Sequence, residues 1–179
     1  GTFRPAQGIN RAEFTKIIVG ARYSLEEIGG CADASFPDVP EDAWYFTYLC
    51  LAKRQGIIGG YPDGTFRGSD PVSFAQATKI LVRTLDPAAP SAGEPWYRPY
   101  AEYLSQRHAI PSEIASFTAP LTRGQMAEML YRLQAGVTGK PSRTYLELSQ
   151  GPAITFERRR VTTGKGTFDV DVLTGDLSR

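Results

Sequence analysis

Residues 1–19, GTFRPAQGINRAEFTKIIV, return without a gap at 64–82 as GTFRGSDPVSFAQATKILV. A chain that repeats itself at this length folds by stacking like units, because one unit alone leaves its apolar face uncovered until a neighbour covers it. In both copies a Gly-Thr-Phe-Arg turn leads through a polar loop into apolar residues at helical spacing. These are Phe14, Ile17 and Ile18 in the first copy and Ile80 and Leu81 in the second. A third, divergent copy puts Phe117 at the turn aromatic, and Pro120-Leu121-Thr122-Arg123-Gly124-Gln125 then leads into Met126, Met129, Leu130 and Leu133. Between the copies runs a second recurring half, Asp38-Val39 through Trp44-Tyr45 to Tyr48, echoed as Trp96-Tyr97 to Tyr100. The pattern implies one cooperative, mainly α body.

Local signals place the elements. Asn10 is a good N-cap and Glu13 stands where a capping-box acid belongs, which predicts a helix over about 11–22, with Gly29-Gly30 ending any extension. A second helix is expected from Glu41-Asp42 to Gln55, broken by Gly56, with Ile57-Ile58 as a brief extended piece. Tyr61-Pro62-Asp63-Gly64 reads as a tight turn, and Ser73 caps a helix to Leu85. A Pro- and Ala-rich linker, 86–95, precedes helices expected at 95–107 and 123–134, the first with Pro99 one turn inside, where it would bend the helix. After Gly136 the period shortens to two. Strands are expected at 145–148, 153–158 and 167–173, with Gly164-Lys165-Gly166 as a hairpin turn.

Twenty basic side chains stand against 19 acidic ones, so no global field argues for nucleic acid, and an anion would have to be met by local arginines. No apolar run approaches the roughly 18 residues that span a bilayer. Gly1 falls inside a repeat unit, which reads as a fragment of a longer protein, so a secretion signal is neither seen nor excluded. Cys31 and Cys50 flank one Phe-Pro-Asp-Val and Trp half-unit. They are either a disulfide tying loop to helix, as suits an exported protein, or two separate small buried hydrophobes.

Phe36-Pro37-Asp38-Val39, Trp44, the run from Gly56 to Phe66 (GIIGGYPDGTF) and Asn10-Arg11-Ala12-Glu13 together resemble the S-layer homology domain, over residues 1 to about 135. The resemblance implies a pseudo-threefold spindle with a central three-helix bundle and short turns or strands between helices. It also implies grooves that bind an anionic cell-wall polysaccharide, often through a pyruvylated sugar, on the outside of the cell in the wall or surface layer. The expected divisions are 1–30 (the second half of one repeat), 31–87, a divergent 88–136, and a β-rich 137–179. The wording of that last segment, from Gly151-Pro152 through Phe156-Glu157-Arg158 to Asp176-Leu177-Ser178, is loosely similar to the opening strands of phosphodiester glycosidase-like domains.

Within this resemblance Arg11 and Arg123 hold the arginine of the family's Thr-Arg-Ala-Glu motif. A guanidinium there, beside unsatisfied helix N–H groups, suits a carboxylate such as a ketal pyruvate; the plain alternative is pairing with a nearby acid or capping a loop. In the middle unit Phe74 replaces the arginine, leaving Arg67 and Lys79 as the nearby cations. Trp44 and Trp96 either stack on a pyranose face or fill the core. Gly59 and Gly60 either admit a ligand close to the backbone or serve a turn needing positive φ. His108 reads as a surface or helix-end residue, Arg158-Arg159-Arg160 as a solvated edge, and Asp63-Gly64 as turn chemistry rather than a calcium loop. No nucleophile and base pair, metal cluster or cofactor motif stands out, so catalytic, metal and cofactor roles are expected to be absent. Three functions fit: an anchor on wall polysaccharide, an assembly module contacting other envelope proteins, or the targeting portion of a surface hydrolase.

Overall fold

The structure, a computed structural model, describes residues 2–33, 36–151, 156–163 and 166–173. Three helices carry the repeat: α1 (Arg11–Gly20), α4 (Phe74–Leu85) and α6 (Arg123–Ala135). Between them lie α2 (Leu25–Gly29), α3 (Phe46–Arg54) and α5 (Arg98–Gln106); α7 (Tyr145–Gln150) and the strands β1 (Phe156–Thr163) and β2 (Gly166–Leu173) follow.

Each bundle helix starts at the same device. Asn10, Ser73 and Thr122 accept a hydrogen bond from the third helical N–H, and their own backbone N–H groups donate to the side chains of Glu13, Gln76 and Gln125. The three caps also meet. Ile9 N–H donates to Leu121 O (3.0 Å), Leu121 N–H to Val72 O (2.9 Å) and Val72 N–H to Ile9 O (3.2 Å), closing a three-membered ring. A second turn of the ring runs from Arg11 N–H to Asp70 O, Phe74 N–H to Ala119 O and Arg123 N–H to Gln7 O, and a third from Ala12, Ala75 and Gly124 N–H to Gly68, Phe117 and Pro5 O. In each, a residue of one unit donates to the equivalent loop position of another. This is the expected pseudo-threefold arrangement, written in backbone hydrogen bonds. Ile9, Val72 and Leu121 are fully buried at its centre, each contributing about 1.5–3 kcal/mol by burial. Phe14, Ile18, Leu81 and Met129 continue the core along the bundle.

Cys31 and Cys50 are joined as a disulfide, tying the loop after α2 to α3. Closing a loop of this size is worth about 3 kcal/mol through the unfolded chain.

Several boundaries differ from the sequence reading. α3 begins at Phe46, not at Glu41, because Pro40 through Tyr45 form turns, with Ala43 N–H on Pro40 O and Phe46 N–H on Ala43 O. α5 likewise begins at Arg98, so each Trp-Tyr pair sits just outside its helix. Pro99 therefore falls in the first turn, where its missing N–H costs nothing, and α5 runs on unbroken. Ser24 caps the short α2, which the sequence reading left out. Residues 145–148 are helix rather than strand: Thr144 and Glu147 form a capping box, and Leu148 is buried. The segment leading to α7 is tied to the third unit. Ser142 Oγ receives Ile110 N–H and donates to Ile110 O, and Arg143 N–H donates to Ile110 O.

β1 and β2 pair antiparallel from Phe156↔Leu173 to Thr163↔Gly166. The strand beginning expected at 153–155, the turn residues Gly164 and Lys165, and Pro152 and Asp176-Leu177-Ser178 of the tail resemblance lie outside the described residues.

Candidate functional site

The ring sets the first residue of each bundle helix beside the next bundle helix in turn, which marks out three groove positions with different linings. In the first, between Arg11 and α4, the turn residues Ile57 to Tyr61 form one wall and Gln76, Lys79 and Ile80 the other, with Trp96 at the mouth. They enclose a cavity of about 380 Å³. Four residues singled out from sequence, Arg11, Gly59, Gly60 and Trp96, come together here.

Arg11 is only 5% exposed. Its Nε donates to Phe66 O (2.9 Å), and its guanidinium carbon lies 4.8 Å from the Tyr61 ring centroid and 4.9 Å from that of Phe66. Among the described residues no hydrogen bond or ion pair ends on its two terminal nitrogens. Burial pushes its pKa down, with Tyr61 and Asp70 opposing. Burial also lowers the pKa of Lys79, assisted by Arg83. A pocket that holds two partly desolvated cations and, among the described residues, no contacting carboxylate is electrostatically incomplete.

Phe66, which holds Arg11, is itself held. Its N–H and that of Arg67 donate to the two Asp38 oxygens at 2.8 and 2.7 Å. Desolvation raises the Asp38 pKa, but these two N–H groups outweigh it and the net shift is downward. Arg67 faces away from the cavity, bound to Asp63 (2.6 Å) and stacked on Tyr61 (4.4 Å). Of the two cations noted in the middle unit, Lys79 is the one in the groove.

The glycines divide. Gly60 has φ +73°, and a Cβ there would lie 2.6 Å from Phe36 Cε1 and 2.8 Å from Thr65 O, so the turn demands glycine. Gly59 faces open space with nothing within 4 Å. Trp44 and Trp96 are 54% and 47% exposed, each edge-on to its neighbouring tyrosine, so neither fills the core.

The third groove lies between Arg123 and α1. Here Arg123 pairs with Glu13, the outcome foreseen as the plain alternative for these arginines. On α1, three residues after Glu13, Lys16 has its Nζ 5.0 Å from the Trp44 ring. The second groove, between Phe74 and α6, lacks the cation: Phe74 is fully buried and stacked on Phe117 at 6.0 Å. Glu128 stands there at the position of Lys79 and binds Arg132 (2.9 Å) and Lys140 (2.8 Å).

One premise of the sequence reading is overturned. The helix N–H groups beside Arg11 and Arg123 are satisfied by the ring carbonyls and the caps, so any anion is met by side chains and not by a bare helix terminus. Sequence reading also missed Gln76 and Tyr61, which hydrogen-bond across the groove at 3.1 Å. A common offset of six from the cap, Lys16, Lys79 and Glu128, was the available signal for the groove wall.

The fold and the grooves define a surface-layer type of repeat module. The chain carries an S-layer homology domain, whose family model matches residues 35–78, from the loop before Phe36 into α4. It is 28% identical over 188 aligned residues to the surface-layer 125 kDa protein of Lysinibacillus sphaericus, covering 97% of this chain and 15% of that protein. It is 30% identical over 132 residues to the middle cell wall protein of Brevibacillus brevis (73% of this chain, 12% of that protein). It is 32% identical over 88 residues to the cellulosome-anchoring protein of Acetivibrio thermocellus (48% of this chain, 20% of that protein). The chain thus spans less than a fifth of the first two. Among the described residues no helix is long and apolar enough to cross a membrane.

Proposed function

We propose that this chain is a non-covalent anchoring module that holds its protein at the cell surface by binding an anionic cell-wall polysaccharide in the first groove. The relatives are surface-layer, cell wall and cellulosome-anchoring proteins by name, which supports the anchoring role and the extracellular location. The observation that carries the polysaccharide reading is Arg11: a buried guanidinium whose terminal nitrogens have no acid partner among the described residues, opening onto a cavity with Lys79 and Trp96. A carboxylate on a sugar, such as a pyruvyl ketal, would take the two cations while Trp96 covers an apolar ring face. The backbone beside Gly59 admits the ring, because no side chain stands there. No reaction is part of this reading; the module binds. In the proposed organisation 1–30, 31–87 and 88–136 supply the three groove-forming units, Arg123 and Trp44 belong to a subsidiary groove, and other envelope proteins can pack beside them.

The test is co-sedimentation with purified cell-wall sacculi before and after removal of the secondary polymer, with Arg11→Ala and Lys79→Ala. Binding should vanish with the polymer and weaken at least about tenfold in each variant, one charge-assisted contact being worth that much. Lys79 is half-buried and outside the ring, so Lys79→Ala reports on binding even where Arg11→Ala disturbs the turn. Sedimentation that survives polymer removal overturns the reading and points to protein-protein assembly.

A further inference from the structure

The first residue of each bundle helix faces the third residue of the next helix around the ring. Arg123 meets Glu13 and Arg11 shares its cavity with Gln76; by repeat position Phe74 and Gln125 correspond to these pairs. The third residue has two jobs, and only one is common to all grooves. One oxygen closes the capping box: Glu13 Oε2 receives Asn10 N–H at 3.2 Å, and Gln76 Oε1 receives Ser73 N–H at 3.3 Å. The other atom points into the groove. In Glu13 it is a carboxylate oxygen, and it takes the Arg123 guanidinium. In Gln76 it is an amide nitrogen, which can only donate, and it turns to the Tyr61 hydroxyl at 3.1 Å.

We propose that this third residue selects which groove accepts an anion: Glu13 supplies an internal counter-ion that closes the third groove, and Gln76 leaves the Arg11 guanidinium free. The proposal rests on reading the first groove as an anion site. Its support is the contrast within one molecule. The two arginines occupy the same helix position, yet Arg123 has an ion pair and Arg11 has none among the described residues. A lysine six residues after the cap and a tryptophan occur in both units: Lys16, on α1 with Glu13, lies 5.0 Å from the Trp44 ring, and Lys79 lines the first cavity with Trp96. The third groove therefore lacks no recognition chemistry. It differs in carrying its own carboxylate. Arg123 also keeps donor capacity in reserve, since its buried Nε makes no hydrogen bond.

Each exchange has a precedent in the same fold. Gln closes the capping box of α4 and α6, and Glu closes that of α1, so Glu13→Gln and Gln76→Glu both preserve the cap.

The experiment is titration calorimetry of the chain and these two variants with a methyl hexopyranoside bearing a 4,6-pyruvyl ketal, alongside 15N NMR of the arginine Nε–H groups. The unaltered chain should bind about one ketal, Gln76→Glu should bind it at least about tenfold more weakly, and Glu13→Gln should bind about two. In the NMR arm, with no sugar present, Gln76→Glu should shift the Arg11 Nε–H and slow its terminal exchange, and Glu13→Gln should do the reverse to Arg123. Unchanged affinity in Gln76→Glu, or no second site in Glu13→Gln, overturns the proposal. Should no protein bind the ketal, the sugar reading falls, and the proposal is then decided by the NMR arm: arginine signals unmoved by the exchanges sink it.

Discussion

The first and second grooves share a backbone and differ in nearly everything that touches a ligand. Both are built on the same ring hydrogen bonds, Arg11 N–H to Asp70 O in one and Phe74 N–H to Ala119 O in the other. Their walls superpose in register, since Ile57 N–H bonds Ala52 O and Ala109 N–H bonds Leu104 O. Yet Arg11 becomes Phe74, Gly59 and Gly60 become Pro111 and Ser112, and Lys79 becomes Glu128. Where Trp96 closes the first groove, Lys140 and Pro141 from the strap before α7 border the second. Its ion pairs are internal, Glu128 being shared between Arg132 and Lys140. The comparison teaches that the repeat conserves a frame, while recognition is a set of side chains grafted on it one groove at a time.

The largest expected effect breaks what the grooves share. Leu121 closes the ring and is 1% exposed, so Leu121→Ala should cost about 2–5 kcal/mol in chemical denaturation and degrade all grooves together. A loss confined to the third unit would mean that the units fold independently, and the frame would not be common. A middle-sized effect separates the two walls. Gly60→Ala forces a side chain into Phe36 and Thr65 O at positive φ and should cost about 1–3 kcal/mol. Gly59→Ala, facing open space, should leave the denaturation midpoint nearly unchanged while weakening sugar binding. In the second groove Ser112→Ala, at the position equivalent to Gly60, should be close to neutral. Equal costs for Gly60→Ala and Ser112→Ala would show that the walls are not distinguished in this way.

Much of the frame could be read from sequence because its signals are local. The capping boxes at Asn10, Ser73 and Thr122 span four residues each, and the repeat displays them in parallel. Tyr145-Leu146-Glu147-Leu148 was misread because two leucines two apart satisfy an alternating pattern and a single helical turn equally. The Thr144 and Glu147 box was the decisive signal. Pro40 and the aromatic turn after it delay α3 in a way that a charge rule for helix starts does not register. The site was legible in part. Arg11, Gly59, Gly60 and Trp96 were named and do converge, but the supposed free helix N–H groups are taken up by neighbouring loops, an arrangement that depends on contacts about 60 residues apart at Arg11 and nearly 120 apart at Arg123. Whether an arginine is free or quenched depends on a residue about 110 positions away, as for Arg123 and Glu13, and no local pattern carries that.

The smallest effect probes the second groove's internal charge. Glu128 has its pKa lowered, first by the Lys140 hydrogen bond and then by Arg132. A depressed carboxylate stabilises the fold at pH above its ordinary value near 4.5 and loses that contribution as the pH falls through the lowered folded value, where the unfolded chain has already taken up its proton. Lys140→Met should therefore cost stability at neutral pH and cost progressively less as the pH falls from about 4.5 through the lowered folded value. Lys140 is about half exposed, so solvent screening limits the loss to under about 1 kcal/mol. Denaturation midpoints of the two proteins across that range should converge on acidification and separate again at neutrality. In the first groove no such pair exists among the described residues, and Lys79→Met should do the opposite. Removing a cation whose pKa burial has lowered relieves a penalty paid at every pH where the lysine is charged, so stability should hold or rise at neutral pH while binding falls. The two lysine-to-methionine changes, opposite in sign for stability, distinguish a groove that neutralises itself from one that waits for its counter-ion.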